Sequence, residues 1–517
     1  MKRSMLALLT LVPSVALALA AGAACSSSSN GGGATTDAGG ADATVDGGGG
    51  FALEVPCTDG VDDVYKDPGA SLPSDKGAIM KCAKYKDLAK ADMEAEARKD
   101  NTEDGGAPFP GYTGKPFTSG AHVYRVLYRT ERGDTKNTPS YSSGLLYIPD
   151  TPRAGTLPQL VFSHGSRGQA AKCAPSKEDP AADDVKYDYI HNVYPLVGSG
   201  YVVMVPDLAG YANYEGANNP PSAYASVTDV GTSTLDGVRA LKKMLSRSLS
   251  DKVVLTGHSQ GGGTALGALA LYSSYAPELN IVGVAVYSPL WITARANGAF
   301  LLFPSQYPIA TSVVPKVLTW YMYTHAELLD GQGEGMKLFA SSKQAGIKSF
   351  VDNDCWSAKY PDLEALGTSA NDLLDPALIS AIKNASAGVG DCSGSSDPVV
   401  CQKWLDRFIA DLPHFTDKAL SVPILSLYGG QDTTITPDLA ACVFDRYKAD
   451  KVTYKVCFDP AGTHNTIVSV RADYVNDWIA ARALGAAEPA ACPNDESALK
   501  DDAGAPVPCN PSLAGIQ

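Results

Sequence analysis

The chain has 517 residues, a formal net charge of −14 and an apolar fraction of 44%. This length is too great for one minimal domain and suits a large core that carries an insertion. The sequence has no block of Lys and Arg, and an acidic surface repels phosphate backbones, so we expect no nucleic acid as a partner.

The first 25 residues predict an export signal. Lys2 and Arg3 form its positive end, and residues 5–24 are apolar and end in small side chains. No other segment of the sequence is long and apolar enough to span a bilayer. The sequence therefore indicates an exported protein.

Cys25 follows this segment, which resembles a bacterial lipoprotein signal in which the cysteine is lipidated and tethers the protein to a membrane of the cell envelope. Gly22 departs from that pattern, and ordinary cleavage near residues 18–20, giving a secreted product, and an uncleaved anchor are the alternatives. Residues 26–50 consist mostly of Ser, Gly, Ala, Thr and Asp, a composition that predicts a flexible tether.

Short apolar runs recur along the chain with helical stretches between them. Several runs are apolar throughout rather than alternating, which is typical of strands covered on both faces. Strands that alternate with helices predict an α/β fold with a mostly parallel central sheet, here of about eight strands with flanking helices. The predicted strands are residues 122–130, 142–149, 157–164, 201–207, 252–256, 281–288, 423–429 and 452–458.

One interval interrupts this alternation, because residues 289–422 contain helical patches and no clear strand. We interpret residues 292–406 as an inserted helical cap, or lid, and additional core helices are the alternative. The Gly-, Ser- and Asn-rich stretch 384–397 favours an insertion. The predicted division is a signal (1–25), a tether (26–50), an N-terminal extension (51–120), the first part of the core (121–291), the cap (292–406), the second part of the core (407–485) and a tail pinned by a disulfide (486–517).

The chain contains eleven cysteines, and ten remain when Cys25 is set aside. An even, scattered set in an exported protein predicts a disulfide framework. Metal binding is the alternative, but the sequence has no C-x-x-C pair and no cluster of His residues. We therefore expect no metal site.

The strongest functional signal is Gly257-His258-Ser259-Gln260-Gly261. It follows the predicted strand KVVLT and precedes GGTALGALALY, which favours a helix. This context indicates a nucleophile elbow, in which a tight turn between small residues presents the serine hydroxyl at a helix N-terminus. We expect Ser259 to be the nucleophile.

A serine hydroxyl requires a base, and in such elbow folds the chain order is Ser, then Asp or Glu, then His. Three histidines follow Ser259. His325 and His414 fall within or beside the cap, and only His464 comes after the last predicted strand. His464 is therefore the predicted base, and Asn465 after it is a candidate cap for the final helix.

The base in turn requires a carboxylate that orients it. Asp432 lies just past the predicted strand 423–429 and is our expectation. Asp438 is its nearest rival, but after Thr436 and Pro437 it fits the first turn of a helix. Asp459 follows the last strand and is less well placed.

An oxyanion requires two aligned N–H donors. One is expected to be the backbone N–H of Gln260, the residue after the nucleophile. The other is expected in residues 164–168, where Ser166 is the first choice and Arg167 the second. His164 is interpreted as a structural residue that supports this loop.

Several segments together resemble the secretory lipase family of the α/β-hydrolase superfamily, the Candida antarctica lipase A-like enzymes. The resemblance spans residues 121–485. The segments that carry it are 124–130 (YRVLYRT), 172–176 (KCAPS), 200–211 (GYVVMVPDLAGY), 235–243 (LDGVRALKK), 257–263 (GHSQGGG), 277–283 (PELNIVG), 429–432 (GGQD) and 462–466 (GTHNT).

This resemblance implies an α/β-hydrolase core with a helical lid, and lipase or esterase activity with no cofactor. It places Ser259, Asp432 and His464 on the family's triad positions. It also implies that Cys173 pairs with a lid cysteine, Cys355.

For Cys442 the resemblance suggests pairing with Cys492, with local pairing to Cys457 as the alternative.

Together these observations predict an exported carboxylic-ester hydrolase that acts on an ester or lipid substrate through an acyl-enzyme. A serine peptidase or an acyltransferase on the same fold is the alternative. A non-catalytic, surface-binding lipoprotein is a further one, against which the intact Ser, Asp and His argue. Candidate residues for an acyl-binding groove in the cap are Leu301, Leu302, Phe303, Trp320, Tyr321 and Met322.

Overall fold

The structure is a computed structural model. It describes residues 51–102, 108–177, 187–212, 219–357, 359–383, 392–501 and 503–509. The predicted signal, Cys25 and the tether lie outside the described residues. Within those ranges, no helix has both the length and the apolar character that a membrane crossing requires.

A nine-stranded sheet lies at the centre of this part of the chain, and a separate two-stranded pair is formed by β2 and β3. The strands are β1 (Ile79–Leu88), β2 (Asn101–Thr102), β3 (Pro108–Phe109), β4 (Ala121–Glu131), β5 (Pro139–Pro149), β6 (Leu157–Ser163), β7 (Val203–Pro206), β8 (Leu249–His258), β9 (Asn280–Tyr287), β10 (Ile424–Gly429) and β11 (Tyr454–Asp459).

Helices connect and flank these strands. They are α1 (Lys90–Arg98), α2 (Tyr187–Gly198), α3 (Val227–Leu245), α4 (Gln260–Tyr275), α5 (Ala294–Leu302), α6 (Val314–Leu329), α7 (Gln344–Asn353), α8 (Pro361–Glu364), α9 (Ala370–Leu373), α10 (Pro376–Ile382), α11 (Pro398–Ala410), α12 (Pro437–Asp450) and α13 (Thr466–Leu484).

The strand order in the large sheet is β1-β4-β5-β7-β6-β8-β9-β10-β11. The pairs from β7 to β11 are parallel, and those among β1, β4, β5 and β7 are antiparallel. All eight predicted strands are present, and the mostly parallel sheet is confirmed. Because parallel strands end at the same edge, the loops after β6, β8, β10 and β11 open on one side of the sheet.

The ninth strand, β1, lies in residues that the sequence analysis assigned to an N-terminal extension outside the core. It occupies the edge of the sheet and is only partly buried. Its lysines at positions 81, 84 and 86 interrupt any apolar run. Lysines are common in edge strands, where they prevent pairing with another chain.

Helices cover both faces of the sheet, as the apolar runs predict. In β8, Val253 and Leu255 pack into a cluster that includes residues of α3, α4 and α12, whereas Val254 between them packs into a second cluster with α2 and α13. Alternate residues of one strand thus reach different cores. This two-sided burial explains why the strand is apolar throughout.

Helices α5–α11, here called the cap helices, all lie between β9 and β10. Together with Tyr224, which lies outside them, they build a hydrophobic cluster around Trp320, Phe350 and Trp404. Of the candidate groove residues, Trp320 and Met322 are fully buried in this cluster, and Phe303 is 49% exposed. Trp320 stacks on Phe350 with ring centroids 5.3 Å apart, so it packs the interior of the cap.

Five disulfides join the described cysteines. They are Cys57–Cys82, Cys173–Cys355, Cys392–Cys401, Cys442–Cys509 and Cys457–Cys492. The predicted framework and the pairing of Cys173 with Cys355 are confirmed. Both cysteines of the tail, 492 and 509, are bonded to the core.

Both pairings suggested for Cys442 are wrong. Cys442 lies on α12 in the cluster on one face of the sheet, where Cys509 also packs. Cys457 lies on β11 and points to the opposite face, where Cys492 packs. The sheet therefore separates the two pairs.

A buried ion pair joins the end of β4 to the first turn of α3. Arg132, which is fully buried, donates from Nε and Nη2 to the two carboxylate oxygens of Asp229 at 2.8 Å each. We expect Arg132→Met to destabilise the fold by about 3–5 kcal/mol, because it leaves the buried carboxylate without its counter-charge. Urea unfolding at pH 7 measures the loss.

The matched control is Lys115→Met, which removes an exposed ion pair with Asp477 whose N–O distance is 2.6 Å. Solvent screens such a pair, so this variant is expected to unfold at the same urea concentration as the parent. Equal stability of both variants would contradict the role assigned to Arg132.

Candidate active site

The backbone of Ser259 forms a strained turn between β8 and α4. Its φ of 56° and ψ of −121° lie in a region that side-chain-bearing residues rarely adopt. The Ser259 N–H donates to the carbonyl of Tyr287 at 2.9 Å, and its carbonyl accepts from Leu290 at 2.8 Å. The chain on both sides thus fixes this turn, and the half-buried Ser259 lies at the N-terminus of α4.

The small residues of the predicted elbow are required by close backbone contacts. A Cβ at Gly261 would lie 1.9 Å from the carbonyl oxygen of Ser163 at the end of β6. A Cβ at Gly257 would lie 2.2 Å from the carbonyl oxygen of Gly261. Neither distance is compatible with a side chain, so glycine at these positions lets α4 begin directly against β6.

Asp432 and His464 meet on the loops after β10 and β11. His464 Nδ1 donates to Asp432 Oδ2 at 2.9 Å. The other carboxylate oxygen, Oδ1, accepts from the N–H groups of Thr434 and Ile435 at 2.8 Å each. The side chain of Asp432 is buried, and these donors fix its orientation.

The pKa of Asp432 lies below its ordinary value. Burial raises this pKa, but the charge of His464 and its hydrogen bond, together with the Ile435 N–H, lower it by more. Asp432 therefore stays ionised to a lower pH than an ordinary aspartate. A carboxylate here favours an imidazole with its proton on Nδ1, so that Nε2 is the nitrogen that can accept a proton.

His258 connects the elbow to His464. Its Nε2–H donates to the backbone carbonyl of His464 at 3.0 Å, and the two ring centroids are 4.7 Å apart. From the sequence alone, His258 is only a residue of the predicted elbow beside the nucleophile. The contact brings the residue beside Ser259 against the backbone of the predicted base.

The other two histidines after Ser259 have partners elsewhere. His325 is buried in α6, where its Nε2 lies 2.7 Å from Asp411 Oδ2. His414 is exposed and contacts Arg446, with 2.8 Å between Nε2 and Nη1. As expected from the sequence, both lie within or beside the cap helices.

The rival carboxylates also have structural partners. Asp438 lies in the first turn of α12, as predicted, and accepts from the hydroxyl of Thr436. Asp459 pairs with Arg471 at 2.8 Å. Asn465 occupies the N-cap position of α13, but its side chain makes no capping hydrogen bond, so this part of the expectation is wrong.

The loop of residues 164–168, here called the β6 loop, follows β6 and carries the predicted oxyanion residues. Ser166 is half-buried, and its Oγ lies 2.6 Å from the hydroxyl of Tyr224. The carbonyl of Arg167 accepts from the N–H of Trp356 at 2.8 Å. Gln260 is the first residue of α4, where backbone N–H groups have no intrahelical acceptor.

Within the described ranges, no group of three or more His, Cys, Asp and Glu side chains is arranged to hold a metal ion.

Comparison with known proteins finds similar sequences and similar folds. A family model described as secretory lipase matches residues 181–297. A secreted triacylglycerol lipase of Malassezia globosa is 31% identical over 168 residues, which are 31% of this chain and 33% of that protein. Lipase A of Moesziomyces aphidis is 28% identical over 263 residues, which are 48% of this chain and 49% of that protein.

The chain thus spans about a third to a half of the curated relatives that it matches. Candida antarctica lipase A in its closed state superimposes with a TM-score of 0.56 at 17% identity, covering 88% of this chain and 90% of that one. The rice cell wall degrading esterase LipA of Xanthomonas oryzae gives a TM-score of 0.57 at 16% identity, covering 80% and 99%. The resemblance to secretory lipases and the α/β-hydrolase fold predicted from the sequence are confirmed.

We expect His464→Gln to raise the pKa of Asp432. The substitution removes the charge and the imidazole hydrogen bond that lower this pKa, while burial, which raises it, remains. The measurement is a pH titration of the carboxyl carbon by NMR on protein labelled with ¹³C at aspartate, with the Asp432 signal assigned by its loss in Asp432→Asn.

The control is His414→Gln, which removes an exposed imidazole 3.3 Å from Asp450. It is expected to leave the titration of Asp432 unchanged. An Asp432 signal that titrates at the same pH in His464→Gln as in the parent would contradict the coupling between the two side chains.

Proposed function

We propose that this chain is a serine hydrolase of carboxylic esters, with Ser259 as nucleophile, His464 as base and Asp432 as the acid that orients the base. The observation that carries the proposal is the hydrogen bond between His464 and Asp432 beside the strained turn of Ser259. The secreted lipases among the relatives agree with it.

In the proposed reaction, Nε2 of His464 takes the proton of Ser259 as Oγ attacks the ester carbonyl carbon. The negative charge that develops on the carbonyl oxygen is held by the N–H of Gln260 and by an N–H of the β6 loop, from Ser166 or Arg167. The intermediate collapses to an acyl-enzyme, and the alcohol leaves with the proton from His464. Water, deprotonated by the same imidazole, then releases the acid and restores Ser259.

Asp432 has an electrostatic role in this scheme. Because its pKa is lowered, the carboxylate stays charged and stabilises the imidazolium that forms when His464 accepts the proton. Its two backbone hydrogen bonds keep it from rotating away.

We propose lipid esters as the substrate class, because relatives from Malassezia globosa and Malassezia furfur are secreted triacylglycerol lipases. A panel of p-nitrophenyl esters of graded acyl length, assayed beside a triglyceride emulsion, tests this. We expect hydrolysis of long-chain esters and of the emulsion. A preference confined to acetyl esters would contradict a lipid substrate and leave ester hydrolysis intact.

Export is part of the proposal, and the relatives named as secreted enzymes agree with it. The finer proposal, that lipidated Cys25 tethers the protein to a membrane, rests on the sequence alone. Metabolic labelling with a fatty-acid analogue tests it. Label on the parent and none on Cys25→Ser supports the tether, whereas an unlabelled parent in the growth medium supports a secreted product.

Ser259→Ala is expected to reduce the hydrolysis of a p-nitrophenyl ester by at least about 10³-fold, because the acyl-enzyme can no longer form. It should also abolish labelling by a fluorophosphonate probe. The control is Ser250→Ala, which removes a hydroxyl bonded to the carbonyl of Leu157 at 3.2 Å. Full activity of Ser259→Ala, with Ser250→Ala also active, would overturn the assignment of the nucleophile.

A further inference from the structure

Tyr224 links the β6 loop to the cap. It lies between β7 and α3, is 1% exposed, and its N–H donates to Thr324 Oγ1 of α6 at 2.9 Å. Its ring lies 5.8 Å from that of Trp320. Its hydroxyl, at the other end of the side chain, lies 2.6 Å from Ser166 Oγ. A residue held by the cap therefore contacts the side chain of a predicted oxyanion residue.

The hydrogens of this pair can be assigned from their partners. In the described part of the chain, the hydroxyls of Tyr224 and Ser166 have only each other as hydrogen-bond partners. Burial raises the pKa of the Tyr224 phenol, which therefore keeps its proton. A buried phenol with one neighbour satisfies its hydrogen by donating to that neighbour. The hydrogen of Ser166 is then available to another acceptor.

The β6 loop lies beside the elbow. Ser163 pairs with Gly257 in the parallel ladder of β6 and β8. A Cβ at Gly261 would lie 1.9 Å from the Ser163 carbonyl oxygen and 2.6 Å from that of His164. The backbone that leads into Ser166 therefore lies against the first turn of α4, where Gln260 supplies the other predicted N–H.

The rest of the β6 loop is held from both sides. Nδ1 of His164 donates to the carbonyl of Gly165 at 2.7 Å. The Tyr211 hydroxyl donates to the carbonyl of Gly168. From the cap, the N–H of Trp356 donates to the carbonyl of Arg167 at 2.8 Å. These contacts fix the backbone of the loop. Tyr224 fixes the side chain of Ser166, whose hydroxyl hydrogen can still be donated.

We propose that the Ser166 hydroxyl donates a hydrogen bond to the oxyanion, beside the backbone N–H groups, and that Tyr224 is the positioning residue that orients it. The inference rests on the proposed function. Ser166 keeps its proton throughout and acts as a dipole aimed at the developing charge. Because the backbone N–H of Tyr224 is hydrogen-bonded to Thr324 of α6, the orientation of the Ser166 hydroxyl depends on the position of the cap helices.

Ser166→Ala removes the hydroxyl and keeps the backbone N–H. We expect kcat for a short p-nitrophenyl ester to fall about 10²-fold or more with KM little changed, because the lost donor acts only on the transition state. Ser166→Thr, which restores a hydroxyl at the same position, is expected to recover most of the activity. Full kcat in Ser166→Ala would show that only the backbone of residue 166 takes part and would overturn the inference.

Tyr224→Phe keeps the ring against Trp320 and removes the hydroxyl. We expect kcat to fall about 10-fold, as for the loss of one positioning hydrogen bond, with no change in KM. In the Ser166→Ala background the same change is expected to have no further effect, because the group that Tyr224 orients is absent. An equal loss in both backgrounds would indicate a structural role and contradict the inference.

The control is Tyr272→Phe, which removes the hydroxyl of another buried tyrosine. That hydroxyl donates to the carbonyl of Leu279 at 2.7 Å. It is expected to keep full kcat. The two proposals fail separately: activity in Ser259→Ala overturns the proposed function, whereas an inactive Ser259→Ala together with a fully active Ser166→Ala overturns only the role of the hydroxyl. Thermal unfolding of each variant shows that the fold is retained.

Discussion

The contact between the first turn of α4 and the end of β6 is the constraint on which the candidate site depends. It exists because Gly261 carries no side chain, and because Ser259 accepts a φ of 56° between β8 and the helix. This contact brings the β6 loop against the N-terminus of α4, where Ser259 lies. The strained backbone is fixed by two hydrogen bonds: the Ser259 N–H donates to the carbonyl of Tyr287, and the Ser259 carbonyl accepts from the N–H of Leu290.

The acid and the base are held by a related arrangement of the loops after β10 and β11. The last paired residues of β10 and β11 are Gly429 and Asp459. Beyond them the two loops stay bonded, since the N–H of Gly430 donates to Asp459 and that of Gln431 donates to Gly462, at 2.8 and 2.9 Å. The hydrogen bond between Asp432 and His464 therefore closes a pair of loops that the backbone already holds together. The parallel strands thus support both Asp432 and His464, which lie far apart in the chain.

Much of this could be predicted because strands buried on both faces leave a clear trace in sequence. All eight predicted strands are present in the sheet. In β8, for example, Val253, Val254 and Leu255 are all apolar because both faces of the strand are covered. The edge strand β1 carries lysines and left no such trace. The pairing of Cys442 could not be derived, because it depends on which face of the sheet each cysteine reaches. The contact between Tyr224 and Ser166 was also missed, since Tyr224 lies in a loop without periodicity and meets its partner only in the folded chain.

The two disulfides of the tail have a further consequence for how the molecule is assembled. Cys442 lies on the helix after the Asp432 loop, and Cys457 lies on the strand before the His464 loop. Their partners, Cys509 and Cys492, come after α13, the last helix of the core. The helix α12 and the strand β11, which flank the acid and the base, are therefore disulfide-bonded to the C-terminal tail on opposite faces of the sheet. The tail is synthesised after both of them. These two disulfides can form only after the chain beyond α13 has been synthesised and has reached an oxidising environment.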